Sequence, residues 1–105
     1  MKHFFQKLLG LQSVEPVAVA LADLFVRHVT IAQAANERVV KRGFQLVVAR
    51  ATGEKRKQGW RGPALARLAN QFGWQLVDRG YPKEFSKLIA KELTVTLMSK
   101  GQKPA

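Results

Sequence analysis

Apolar residues recur at three- and four-residue steps along much of this chain, which is the spacing of one face of an amphipathic helix. The longest run predicts a helix over residues 16–40. Ser13 is placed to act as its N-cap, and Pro16 lies early enough to be tolerated. Apolar residues also occupy the flanks of this run, so we expect a central, mostly buried helix. Its apolar positions are Val17, Leu21, Leu24, Phe25, Ile31, Ala32, Ala35 and Val39.

Three shorter patterns predict further helices. Before the long run, an apolar stripe predicts a short amphipathic helix over residues 4–11. After it, Pro63 is a suitable first residue for a helix over residues 63–72, and Gly73 is a suitable stop. Pro82 opens a final helix over residues 82–99. The apolar positions of that helix are Phe85, Leu88, Ile89, Leu93 and Leu97.

Residues 44–49 fit two structures. Phe44-Gln45-Leu46-Val47-Val48-Ala49 is β-branched and follows a glycine, as a short strand would, but it also keeps helical spacing. We favour a helix, because the surrounding chain is helical and offers no partner strand. The prediction is an all-α, compact domain of four to five helices with a basic loop around residues 52–62. The alternative is an α+β fold with a strand or hairpin over residues 44–60.

The length of 105 residues predicts one helical domain over residues 1–100, followed by a frayed tail at residues 101–105. A chain of this size buries somewhat over 60% of its unfolded surface, which is enough for a core without covalent staples. The hydrophobic fraction of 47% is ordinary for a folded protein. No cysteine is present, which excludes disulfides and thiolate metal sites.

Charge changes the picture, because the formal net charge of +11 is concentrated in the middle of the chain. Residues 1–40 carry a net charge of +1, residues 41–67 carry +7 and residues 68–105 carry +3. A basic segment of this density attracts polyanions through Coulomb energy and counterion release. We therefore interpret residues 41–67 as the contact region for nucleic acid.

The candidate binding residues all lie in this middle segment. The cations would neutralise phosphates, and one tryptophan in the expected loop would stack on an exposed base. The competing interpretation is a solvated loop with that tryptophan folded into the core. The candidates are Lys41, Arg42, Arg50, Lys55, Arg56, Lys57, Trp60, Arg61 and Arg67.

Two weaker patterns also suggest nucleic-acid contact. Residues 68–74 resemble the first helix and turn of a helix-turn-helix, but the second half fails because Arg79 and Pro82 stand where apolar anchors belong. A plain helical hairpin is the better interpretation. Lys83, Lys87 and Lys91 form a stripe on the last helix, and partial pairing with nearby glutamates favours a solvated face.

Enzymatic chemistry finds little support in the sequence. His28 falls on the apolar face of the predicted central helix, where a core histidine is more common than a base or metal ligand. The seven acidic residues are scattered, and neither metal-ligand spacing nor a phosphate-cradling glycine loop occurs. We predict no enzyme activity, no metal and no cofactor.

The chain has no stretch suited to crossing a membrane, because charges interrupt its apolar region. The N-terminus resembles a signal peptide only superficially, since Lys7, Gln12 and Glu15 fall where an apolar core should lie. We expect a cytoplasmic protein without integral membrane association.

The sequence therefore predicts a non-catalytic nucleic-acid-binding protein that contacts the phosphate backbone. DNA and RNA, single and double strands, remain open alternatives. The alternative function is a helical protein–protein interaction module, or a small subunit of a larger assembly, that self-associates through its apolar helices.

Overall fold

The computed structural model describes residues 11–102, with side chains over residues 14–99. Four α-helices fill this range: α1 at Leu11–His28, α2 at Glu37–Gln58, α3 at Gly62–Asp78 and α4 at Lys83–Gln102. A short 3-10 turn at Ile31–Gln33 separates α1 from α2, and no strand occurs within residues 11–102. The predicted all-α class is confirmed. The alternative strand or hairpin over residues 44–60 is wrong, because residues 44–58 lie within α2.

Two predictions concern the ends of the chain. The short helix expected over residues 4–11 lies almost wholly outside the described residues. Ser13 is not an N-cap, because it lies inside α1. Of the tail expected to fray, Gly101 and Gln102 belong to α4, and residues 103–105 lie outside the described part.

The predicted single helix over residues 16–40 is wrong, because two capping residues divide it. The Thr30 side chain accepts a hydrogen bond from the Gln33 backbone N–H, and the Gln33 side chain accepts one from the Thr30 N–H. Asn36 Oδ1 then accepts from the N–H groups of Arg38 and Val39 at 3.1 and 3.2 Å. These bonds satisfy the free donors at helix starts, so the chain turns between residues 29 and 36.

The expected basic loop over residues 52–62 is also wrong, since α2 continues through residues 52–58. Its end is set by Gly59, whose φ of 71° is left-handed and whose N–H donates to Lys55 O at 2.9 Å. The Trp60 N–H donates to the same carbonyl oxygen at 3.1 Å. This pattern is typical of a glycine-terminated helix, and it shortens the connection to residues 59–61.

Gly73 does not stop a helix as predicted, because α3 runs on to Asp78. Its role is in packing: a Cβ at Gly73 would lie 2.9 Å from Ala90 Cβ, so the missing side chain lets α3 and α4 approach closely. The turn falls instead at Gly80, where φ is 102°. The predicted last helix over residues 82–99 corresponds closely to α4.

Two contacts locate α2 against its neighbours. At one end of the molecule Gly43, near the start of α2, lies against Val29. At the other end Lys55 Nζ donates to Leu97 O at 2.7 Å, so α2 and α4 finish together. α1 packs against α2 and α3, and α3 packs against α4. The principal extents of 44 × 36 × 20 Å indicate two layers of helices.

The core draws residues from all four helices. Phe25 lies at its centre, with ring centroids 6.2 Å from Phe72, 5.7 Å from Tyr81 and 6.2 Å from Phe85. The Tyr81 hydroxyl donates to Val29 O, which connects the α3–α4 turn to the end of α1. Arg79 pairs with Asp23 at 2.6 Å on the same side.

Candidate nucleic-acid interface

The structure places the predicted site residues on three elements. Six lie on α2: Lys41, Arg42, Arg50, Lys55, Arg56 and Lys57. Trp60 and Arg61 lie in the connection after α2, and Arg67 lies on α3. The predicted contact region is therefore mainly a helix surface, where the sequence predicted a loop.

One solvent side of α2 collects several of these cations. At 100° per residue, six positions fall within an arc of about 80° on the side opposite the buried residues of α2. We call this surface the α2 face; it consists of Arg38, Arg42, Gln45, Ala49, Gly53 and Arg56, all exposed. Arg38 and Arg56 are five helical turns and about 27 Å apart. The surface is thus basic at both ends, with smaller side chains between.

Arg38 was missed by the sequence analysis. It was counted with the first part of the chain, because the long helix was expected to run through residue 40. The signal was present, since Arg38 and Arg42 are four residues apart and therefore neighbours on a helix surface. Only the capped start of α2 at Asn36 assigns both residues to one element.

Two of the predicted cations have partners within the fold. Lys55 is half-buried, and its ammonium group donates to the backbone oxygen of Leu97. Arg50 lies 3.9 Å from Glu54 one turn later on α2. Both residues point away from the centre of the α2 face at helical spacing. Lys55 connects α2 to α4, whereas the Arg50–Glu54 pair, whose arginine is exposed, contributes little to stability.

The other cations of the segment have no carboxylate within salt-bridge distance among the described residues. These are Lys41, Arg42, Arg56, Lys57, Arg61 and Arg67, and each is exposed. Their charges are accordingly available to an external anion. Lys41 differs in position, because it lines a groove between α2 and α4 with Phe44, Val48 and Thr96.

That groove has a volume of about 550 Å³ and is wide and shallow. Thr52 lies on its α2 wall, and its Oγ1 atom is buried without a hydrogen-bond partner among the described residues. The remaining lining is largely apolar.

Trp60 does not lie on the surface. Its side chain is only 7% exposed and belongs to the core cluster. The expectation that Trp60 stacks on an exposed base is therefore wrong, and the competing interpretation, an indole folded into the core, is the observed one. The hydrogen bond from the backbone N–H of Trp60 to Lys55 O fixes the backbone just before α3.

Trp74 is the exposed tryptophan, with 51% of its surface in solvent. It lies on the outer side of α3, and Lys83 Nζ is 6.0 Å from the centroid of its ring. The helix predicted over residues 63–72, with Gly73 as its stop, left Trp74 outside any helix. Continuing α3 past Gly73 rotates Trp74 outward, onto the same side as Arg67 two turns earlier.

A second groove, which we call the Trp74 groove, lies between α3 and α4 and has a volume of about 230 Å³. Gly73 and Ala90 are among its lining residues, where the two helices approach closely. Lys83 and Lys87 border it from α4. The predicted lysine stripe is therefore partly a groove rim. The helix-turn-helix candidate is wrong, since residues 68–74 belong to one continuous helix.

His28 is exposed at the end of α1, so its expected core position is wrong. No cluster of three or more potential metal ligands occurs in this part of the chain. Burial raises the pKa of the Tyr81 hydroxyl above its ordinary value, partly offset by the charge of Arg79. Tyr81 therefore remains a neutral donor to Val29 O.

Within residues 11–102, no helix is long and apolar enough to cross a membrane. Comparison with known protein families, with curated proteins and with solved structures found no match to this chain.

Proposed function

We propose that this protein binds nucleic acid without catalysis, mainly through backbone phosphates that contact the α2 face. The observation that carries the proposal is the row of Arg38, Arg42 and Arg56 on one exposed side of a 22-residue helix. None of the three has a carboxylate within salt-bridge distance among residues 14–99. Arginine suits this role, because its planar guanidinium group forms paired hydrogen bonds with phosphate oxygens.

The physical basis is counterion release. Each cation that neutralises a phosphate displaces condensed counterions, so binding weakens as salt is added. Gln45, Ala49 and Gly53 in the middle of the α2 face leave room for a phosphate backbone to approach. Lys57 and Arg61, both exposed beyond Arg56, extend the positive surface at that end.

Fluorescence anisotropy with labelled single- and double-stranded DNA and RNA, repeated at several salt concentrations, tests the proposal. With about five phosphates engaged, the log–log salt dependence should have a slope of roughly −3 to −5. The triple variant Arg38→Glu, Arg42→Glu, Arg56→Glu should reduce that slope by about 3 and weaken binding of all sequences alike.

The control is a matched charge reversal elsewhere. Arg27→Glu changes an exposed residue on the outer side of α1, and it should alter affinity less than Arg42→Glu does. Equal losses of affinity in the two single variants would mean that binding depends only on the net charge of the protein. A triple variant that binds like the unmodified protein would remove the α2 face from the mechanism.

The second candidate is the self-associating helical module, which one observation favours. Leu88 and Val95 are 57% and 52% exposed and lie seven residues apart on one side of α4. Sedimentation at rising salt distinguishes the two functions, because apolar association holds or strengthens where phosphate binding weakens. The double variant Leu88→Ser, Val95→Ser should abolish any such association. It should leave the protein folded, because both residues are exposed.

A further inference from the structure

We propose that the Trp74 groove binds one unpaired nucleotide of a single strand, with the base stacked on Trp74 and its phosphate held by Lys87. This inference rests on the proposed function in taking nucleic acid as the polyanion. It adds a second site, on α3 and α4, that has a preference for unpaired strands.

The indole ring of Trp74 is exposed. The neighbouring apolar residues Phe72 and Leu76 are fully buried, whereas about half of Trp74 is in solvent. Among the Phe, Tyr and Trp side chains of the described residues, Trp74 is the only one that is exposed. The fold therefore leaves about half of this indole accessible, with Lys83 Nζ over the ring, and every base can stack on such a ring.

The shape of the site also supports this proposal. The Trp74 groove is smaller than the roughly 300–1,000 Å³ of pockets that enclose drug-sized ligands. It therefore suits one planar ring system lying beside the indole. Gly73 and Ala90, where the two helices approach closely, both belong to its lining, and Val77 provides apolar contact.

The charge around the ring supports it as well. Lys83 already lies near the indole, and Lys87 follows one turn later on the same side of α4. Neither ammonium group has a carboxylate within salt-bridge distance in the described part of the chain. Asp78 lies one turn beyond Trp74 on α3, so a phosphate is favoured on the opposite side, towards Lys87.

This site is separate from the α2 face. At helical spacing, Lys87 in the Trp74 groove and Thr96 in the groove beside α2 lie on opposite sides of α4. A duplex bound along α2 therefore does not need the Trp74 groove. A duplex also cannot offer an unstacked base, so only single strands gain from the indole.

The experiment measures tryptophan fluorescence and affinity with oligothymidylate, oligoadenylate and a blunt DNA duplex. Single strands should quench the exposed Trp74, while buried Trp60 keeps its emission. Trp74→Ala should weaken oligothymidylate binding roughly 5- to 150-fold and leave duplex binding unchanged. Trp74→Phe should lose less, because it keeps a ring. Since Trp74 is exposed, both variants should fold.

The outcomes separate this inference from the proposed function. If the α2 triple variant still shows quenching of Trp74 by oligothymidylate, the groove acts without the α2 face. If Trp74→Ala binds single strands as tightly as the unmodified protein, the inference is wrong even though the proposed function stands. Equal quenching by polyglutamate would reassign the groove to an acidic peptide. Absence of binding by every nucleic acid overturns both.

Discussion

The α2 face and the Trp74 groove both present cations that have no carboxylate within salt-bridge distance among the described residues, yet they offer a polyanion different chemistry. The α2 face spreads arginines over about 27 Å of helix and has small side chains at its centre. The Trp74 groove combines two lysines with an exposed ring in a small concave site. Dispersed charge suits any phosphate backbone, whereas a ring suits an unpaired base.

The two tryptophans express the same difference. Trp60 lies among the cations of residues 55–61 and is buried, while Trp74 lies outside that segment and is exposed. An aromatic residue that is close to cations in the sequence is therefore not necessarily exposed beside cations on the folded surface. The orientation of the helix decides which ring a ligand can reach.

The largest expected effect is the loss of protein stability when the buried tryptophan is replaced. Trp60→Ala should lower the free energy of unfolding by about 3–5 kcal/mol, because it removes a large buried side chain and leaves a cavity. Trp74→Ala should cost less, about 1 kcal/mol, because about half of its surface is already in solvent and alanine is the better helix former. Urea denaturation followed by circular dichroism measures both. Similar losses in the two variants would contradict the assignment of one ring to the core.

Two glycines provide the next contrast. Gly73→Ala should destabilise the protein by about 1–3 kcal/mol, because the new methyl group meets Ala90 and pushes α3 from α4. Gly53→Ala on the α2 face should stabilise it by about 0.5–1 kcal/mol, as nothing lies within 4 Å of the added Cβ. Thermal unfolding of both variants checks the signs. Stabilisation by Gly73→Ala would mean that the helices do not meet there.

A smaller effect separates neighbouring cations on α2. Lys55→Ala should cost about 1–2 kcal/mol of stability, because the charged hydrogen bond to Leu97 O is lost. Arg56→Ala should leave stability within about 0.5 kcal/mol and reduce the salt slope of binding by about 1. Denaturation and anisotropy on the same preparations give both quantities. The reverse pattern would show that Lys55, and not Arg56, meets the phosphate.

The smallest effect is the pH dependence of stability contributed by Tyr81, which is buried against Phe25 and Phe85. Burial raises its pKa in the folded state, so the fold favours the protonated hydroxyl. Its contribution to stability is full below the unfolded pKa of about 10 and is lost as pH rises through the folded pKa. Unfolding midpoints measured from pH 8 upward should fall more steeply for the unmodified protein than for Tyr81→Phe. Parallel curves would contradict a buried Tyr81 donor.

Helix content was predictable from local information, because apolar spacing reports which face is buried. The positions of Phe85, Ile89, Leu93 and Leu97 were enough to locate α4 within a few residues. Residues 44–49 were correctly preferred as helix for the same reason. Boundaries were less predictable, since Thr30 and Asn36 act through individual hydrogen bonds inside an alanine-rich run.

The residues of the candidate site were predictable from the sequence, but their arrangement on a helix surface was not. The cluster of cations over residues 41–67 is visible in the sequence, and most of its members are exposed. Lys55 was not separable from Arg56 in the sequence, because its partner, Leu97 O, lies 42 residues away. Nucleic-acid binding itself stays a prediction that the proposed titrations test.

The amino-acid sequence alone was sufficient for the all-helical class and for the concentration of positive charge, because both depend on residue type and short spacing. Folding was needed to show which cations are free and which tryptophan is exposed. Those properties depend on where each helix starts and what it packs against. Extending α2 to Gln58 and α3 to Asp78 turned a presumed loop into a basic helix surface. It also placed Trp74 beside Lys83, a contact between residues of two different helices.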